Sequence, residues 1–174
     1  MKPPHLSITE YAVLGILASR PNHGFALSKE LGRNSDVGKI FTVRRPLVYR
    51  ALNRLVDAGY AEPVATEKGT AGPQRVIRHA TLAGRERLKR WLEEPEEHIR
   101  DLRIGFLLKL ALLLRAQRSP MNLIKKQRRV LDDTLLALES STTEPTDHVE
   151  LWRLHNATAA VAYLDELEGT YTEN

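Results

Sequence analysis

A mainly α-helical chain in two parts, with one hairpin closing the first part, is the fold class predicted by three observations. Apolar residues recur at helical spacing through most of the 174 residues. Only residues 60–80 show short Val- and Ile-containing segments around a tip dense in turn formers. The charge is also split. The chain carries a formal net charge of +4, but residues 1–95 hold 16 Lys and Arg against 9 Asp and Glu, while residues 96–174 hold 10 against 13. A basic first domain over 1–95 and a helical second domain over 96–174 follow from that division.

The first element opens at Ser7-Ile8-Thr9-Glu10, which has the spacing of a capping box. Its helix carries Tyr11, Val13, Leu14, Ile16 and Leu17 around most of its circumference and must be buried; Arg20-Pro21-Asn22-His23-Gly24 breaks it. A short second helix follows with Phe25, Leu27 and Leu31 as its apolar side, and residues 32–36 read as a loop. The third predicted helix lies within Thr42 to Gly59. Pro46 suits a first helical turn, where a missing N–H costs nothing, and Gly59 suits the left-handed residue that closes a helix. Between them Val48, Leu52 and Leu55 share one face, leaving Arg44, Arg45, Tyr49, Arg50, Asn53 and Arg54 at the start and on the other faces. Asp57 lies at i+3 from Arg54, so a simple surface ion pair is expected for that arginine.

Tyr60–Glu67 and Arg75–Ala80 then read as strands around a tip at Lys68–Gln74, and Thr81 caps a helix from about Leu82 to Glu94 with Leu88, Trp91 and Leu92 on one side. The second part is helical throughout. Residues 99–118 are apolar almost all round, Ser119-Pro120 restarts a helix to about Ser140 with a stripe of Ile124, Leu131, Leu135 and Leu138, and Asp147 opens a last helix to about Glu168. In that last helix Leu154, Ala157, Val161 and Leu164 alternate in steps of three and four, the seam of a helix that packs along another.

Helix, helix, basic helix, hairpin is the order of a winged helix-turn-helix, in which the basic helix enters the major groove of duplex DNA and the hairpin lies over the neighbouring backbone. The residue types fit that use. Arg presents two parallel donors to guanine O6 and N7, Asn matches adenine, and Lys or Arg beside the groove neutralises phosphate. Lys39, Thr42, Arg44, Arg45, Tyr49, Arg50 and Asn53 are the candidate DNA contacts of the helix and its approach, with Lys68 and Arg75 as those of the wing. A basic run is as often just a solvated face, and a winged helix can serve protein contacts without binding DNA; the clustered cations favour DNA over both.

These residues carry a resemblance. Val43-Arg44-Arg45-Pro46-Leu47-Val48-Tyr49-Arg50-Ala51-Leu52-Asn53-Arg54-Leu55 with Gly59-Tyr60 resembles the basic helix of PadR-type transcriptional regulators, Thr9–Leu17 is similar to their first helix, and His23-Gly24-Phe25 to the turn into their second. Gly72-Pro73-Gln74-Arg75 and Thr81-Leu82-Ala83-Gly84 resemble the wing strand and the helix after it. Residues 102–110 and the helix around Trp152 resemble the long C-terminal domain of one branch. The resemblance implies a homodimeric regulator, usually a repressor, on a pseudo-palindromic operator, released in some members by a small molecule. Arg44 and Pro46 stand where the family commonly has small residues, so base preference is not carried over.

Other classes find little support. With no cysteine, thiolate metal sites, disulfides and cysteine nucleophiles are excluded. His148 with Glu150, and His155 with Trp152, match no metal-binding or catalytic spacing, no Gly-rich phosphate loop follows a strand, and no cofactor is expected. An enzyme is therefore not predicted. The absence of cysteine and of an apolar leader leads to the expectation of a cytoplasmic protein without a membrane partner. The apolar surface of the second part predicts a dimer interface through Phe106, Leu110, Leu154, Ala157, Val161 and Leu164, and Trp152 with His155 is the candidate effector site.

Overall fold

The computed structural model describes residues 5–69, 72–141 and 147–172. It divides into two compact units, Met1–Trp91 and Leu92–Asn174. Among the described residues no helix is long and apolar enough to cross a membrane, and no group of three or more acids and histidines could hold a metal ion.

In the first unit, α1 (Ile8–Ser19) begins with the full capping box: the Glu10 backbone N–H donates to Ser7 Oγ at 3.3 Å, and the Ser7 N–H donates to Glu10 Oε2 at 2.7 Å. Its residues Ala12, Val13, Leu14, Ile16 and Leu17 are wholly buried, as an apolar helix demands. α2 (Gly24–Glu30) follows, capped by His23, whose Nδ1 accepts the Ala26 N–H. Leu27 and Leu31 are buried. Phe25 is not: it is 37% exposed, so the apolar side expected of this helix is narrower than its composition suggests.

Residues 32–35 are turn and bend, as expected of a loop, and a further helix that the sequence reading did not place, α3 (Asp36–Ile40), begins at its end. Ser35 caps it by accepting the Gly38 N–H, and Asp36 lies in its first turn, where a carboxylate opposes the helix dipole. The basic helix is thus the fourth, α4 (Arg45–Asp57), packed on α1 and α2 through Val48, Ala51, Leu52 and Leu55. Pro46 sits in its first turn. At its end Gly59 has φ +71°, its N–H reaches Val56 O at 2.9 Å, and the Tyr60 N–H reaches Leu55 O at 2.8 Å, the paired closure that needs a left-handed residue.

β1 (Ala61–Gly69) and β2 (Gly72–Ala80) form an antiparallel hairpin in register from Ala61 opposite Ala80 to Gly69 opposite Gly72, with irregularities at Pro63–Ala65 and Glu67–Gly69. The strands therefore extend well into the stretch expected to be a tip. Asn22 pairs its N–H and carbonyl with those of Arg78, each at 2.8 Å, tying β2 to the turn before α2. Thr81 Oγ1 accepts the Gly84 N–H and starts α5 (Leu82–Glu93). Trp91 stacks on Tyr11 with ring centroids 4.2 Å apart.

The second unit is helical. The stretch expected as one helix over 99–118 is three consecutive segments: α6 (Ile99–Asp101), a π-helical turn (Leu102–Phe106) and α7 (Leu107–Arg115). It ends three residues early because Gln117, at φ 53°, makes the same paired closure as Gly59: its N–H reaches Leu114 O, and that of Arg118 reaches Leu113 O. α8 (Met121–Ser141) and α9 (His148–Thr172) pack on each other. Asp147 caps α9 by accepting the Val149 and Glu150 N–H groups. Lys109, 2% exposed, binds Glu96 Oε1 at 2.7 Å and the Glu94 carbonyl at 2.6 Å. Fully buried Gln127 accepts from the Glu96 N–H and donates to its carbonyl, and Lys126 donates to the Glu93 carbonyl. The backbone at Glu93, Glu94 and Glu96 is thus held by side chains of α7 and α8.

Phe106, Leu110, Ala157 and Leu164, expected at a dimer interface, are between 0% and 7% exposed within the single chain. The seam of α9 is occupied by intrachain packing, so these four are not a surface open to a partner. Leu154 and Val161 are half-buried. The large apolar side chains left exposed in this unit are Leu114, Leu136, Val149, Leu151, Trp152 and Tyr163.

Candidate nucleic-acid interface

The solvent face of α4 is built by its buried one. Fixing Val48, Ala51, Leu52 and Leu55 inward turns Arg44, Arg45, Tyr49, Arg50, Asn53 and Arg54 outward, and all six are exposed. Arg44 is the N-cap and uses no side-chain bond to fill that role. Neither Arg44, Arg50 nor Asn53 has a side-chain partner among the described residues.

Arg54 is different. Rather than pairing with Asp57, its guanidinium reaches Glu10 Oε1 at 3.1 Å, and Glu10 is 2% exposed. One carboxylate therefore closes the cap of α1 with one oxygen and fastens α4 to α1 with the other. Arg54 belongs to the scaffold. Lys39 and Thr42 also lie off the basic helix: Lys39 sits on α3, 3.7 Å from Asp36 with both groups in solvent, and Thr42 Oγ1 donates to the Gly38 carbonyl. Lys68 lies in β1, and its side chain falls outside the described residues.

The most structured part of the face is centred on Phe25. Lys29 Nζ lies 4.9 Å from its ring centroid, Arg45 Cζ 5.2 Å and Arg75 Cζ 5.8 Å, all within cation–π range. Arg45 also lies 5.6 Å from the Tyr49 ring, and His23 stacks on Phe25 at 6.4 Å. Tyr49 rests on the backbone of Gly24 so closely that a Cβ there would meet its ring at 2.6 Å. All of these but Lys29 line a cleft of about 410 Å³ between α2, the start of α4 and β2, with Arg78 on its wall; Lys29 reaches the Phe25 ring without bordering the cleft. Sequence reading placed Arg45, Tyr49 and Arg75 here and missed Phe25 and Lys29. A Phe followed by a Lys at i+4, on the short helix that precedes the basic segment, was the available signal.

The expected effector residues are not brought together. Trp152 is 57% exposed and lines a groove with His98, Ile99, Thr134 and Val149; His155 is exposed and does not border it. A separate apolar cavity of about 120 Å³ lies in the second unit against Leu102, Phe106, Leu107, Leu131, Tyr163 and Leu164. Burial holds the Tyr163 hydroxyl above its ordinary pKa of 10.0, with the nearby Tyr171 adding to the shift.

Residues 13–90 match the model of the Transcriptional regulator PadR-like family. No curated protein matches the chain. Among solved structures the chain is similar to Bacillus subtilis PadR in complex with operator DNA, at 18% identity and a TM-score of 0.48, covering 91% of this chain and 96% of that one. It is also similar to the same Bacillus subtilis protein in complex with p-coumaric acid, at 18% identity and a TM-score of 0.42, covering 96% and 97%.

Proposed function

We propose, from the match of residues 13–90 to the PadR-like family of transcriptional regulators, that the chain is a sequence-specific DNA-binding repressor acting as a homodimer on a pseudo-palindromic operator. One observation carries the DNA part: α4 presents Arg44, Arg50 and Asn53 to solvent with no partner among the described residues. A basic helix kept only for solubility has no need to leave its cations unpaired in one place. Arg50 and Asn53 have the donors to read base edges in a major groove, and Arg44 and Arg75 those to hold phosphate.

The test is duplex binding at two salt concentrations. With six to ten phosphate contacts the affinity falls by about 10³- to 10⁵-fold between 50 and 200 mM salt, and a loss below about tenfold would sink the DNA reading in favour of a protein-interaction module. Arg50→Ala is expected to cost about 1–3 kcal/mol in operator binding and to relax preference at one base pair.

The homodimer rests on α9, which has two apolar faces. Ala157 and Leu164 occupy the covered one, while Val149, Trp152 and Tyr163 lie within about 60° of each other on a face that flanks it, roughly 100° round the helix, at 66%, 57% and 39% exposure. A second copy laid against that side removes this surface from water; a dimeric regulator on a pseudo-palindromic operator is expected to meet half-sites about 34–36 Å apart, or a multiple of it. Trp152→Glu is expected to give a monomer by light scattering. A small-molecule effector, on this reading, enters the cavity beside the π-helical turn rather than resting on Trp152 and His155, because the lining of that cavity is almost wholly apolar.

A further inference from the structure

Three cations from three separate elements converge on the Phe25 ring: Lys29 of α2, Arg45 of α4 and Arg75 of β2. None of them has an acidic partner among the described residues, and no acid lines the cleft that Arg45, Arg75 and Phe25 itself border. Elsewhere in the same unit Arg20 takes Glu30 and Arg54 takes Glu10, so acids are at hand where a cation serves the fold. A ring face attracts each cation, but gathered cations repel one another, and the cluster becomes favourable when an anion sits among them.

We propose that this cleft is a seat for the sugar–phosphate backbone of DNA, and that Phe25 is the positioning residue that gathers its cations. The inference rests on the DNA reading above and adds to it a contact made by α2, which neither the basic helix nor the wing supplies. Convergence from three directions suits a tetrahedral anion with several acceptor oxygens better than the flat edge of one base. Stacking a guanidinium on a ring also leaves its N–H edge free to donate. His23 adds a fourth donor: with Nδ1 accepting the Ala26 N–H, the ring carries its proton on Nε2. In this arrangement Arg45 is a phosphate ligand, and base reading falls to Arg50 and Asn53.

The experiment measures binding of a short duplex of arbitrary sequence across a salt series, which suffices because a phosphate seat is indifferent to sequence. Lys29→Met is expected to lower the slope of log affinity against log salt by about 0.9, with binding on the order of 5- to 10-fold weaker at 0.1 M salt. Phe25→Leu keeps every charge yet is expected to lose a similar share of the slope, and Phe25→Trp to restore it. Lys29 is exposed, so its replacement tests the seat even if a Phe25 variant folds poorly. If the wild-type protein shows no salt-dependent binding, the DNA reading itself fails. If the wild type binds steeply while Lys29→Met and Phe25→Leu match it, only the seat is overturned. A shift in preference at a single base pair for Lys29→Met would overturn it as well, in favour of base contact.

Discussion

The cations around α4 in the first unit and a set of those in the second are held in opposite ways. In the second, Lys109, Arg118, Arg128 and Arg153 each reach a carboxylate, Lys126 reaches a backbone carbonyl, and Arg128 joins Asp132 and Asp165 at once. Around α4 in the first, Arg44 and Arg50 hold nothing among the described residues, and Lys29, Arg45 and Arg75 rest on rings. A cation tied to an acid shapes the protein, and an untied one is available to something else.

Replacing tied and untied cations should divide the same way. The largest expected effect is that of Lys109→Met, which strands Glu96 beside a dry interior and should destabilise the chain by about 3 kcal/mol in denaturant unfolding. Arg54→Ala should cost about 1–3 kcal/mol, since the Glu10 carboxylate it leaves is buried, and should leave the salt slope of DNA binding unaltered. The double change Arg44→Ala with Arg50→Ala should move stability by less than about 0.5 kcal/mol while abolishing much of the DNA affinity; a large loss of stability there would break the contrast.

The smallest effect concerns alkali. Tyr163 keeps its proton to higher pH in the native protein than in the unfolded chain, so its contribution is present below the ordinary pKa of 10.0 and is lost as pH rises through the raised native value. Tyr163→Phe should flatten that part of the decline in a pH series of unfolding curves.

What was legible in the sequence was local. Ser7 with Glu10, Pro46 with Gly59, and Thr81 announce helix ends because the bonds that make them span three or four residues. α3 escaped because five residues give no period to read, and the end of α7 because its left-handed residue is Gln117 where glycine is the usual sign. Pairings across the fold were out of reach: Asp57 is nearer to Arg54 in sequence, but Glu10 on α1 is the group the packing delivers. The seam of α9 told that the helix packs and not on what, so interchain contact was expected where α8 of the same chain lies. Phe25 looked like core by composition; only the folded chain brings Arg75 from the far strand onto its ring.

Asn22 ties much of this together. Its backbone pairs with Arg78 on β2, its amide donates to Glu30 at the end of α2, and its side-chain oxygen accepts the N–H of His23. The hairpin and α2 are thereby fixed to one residue that is 8% exposed. The conformational entropy of aligning the two walls of the cleft is therefore surrendered during folding, and association with an anion has that much less order left to create. Fast, loosely committed sampling of many sites becomes compatible with a rigid grip, because the grip exists before anything is held.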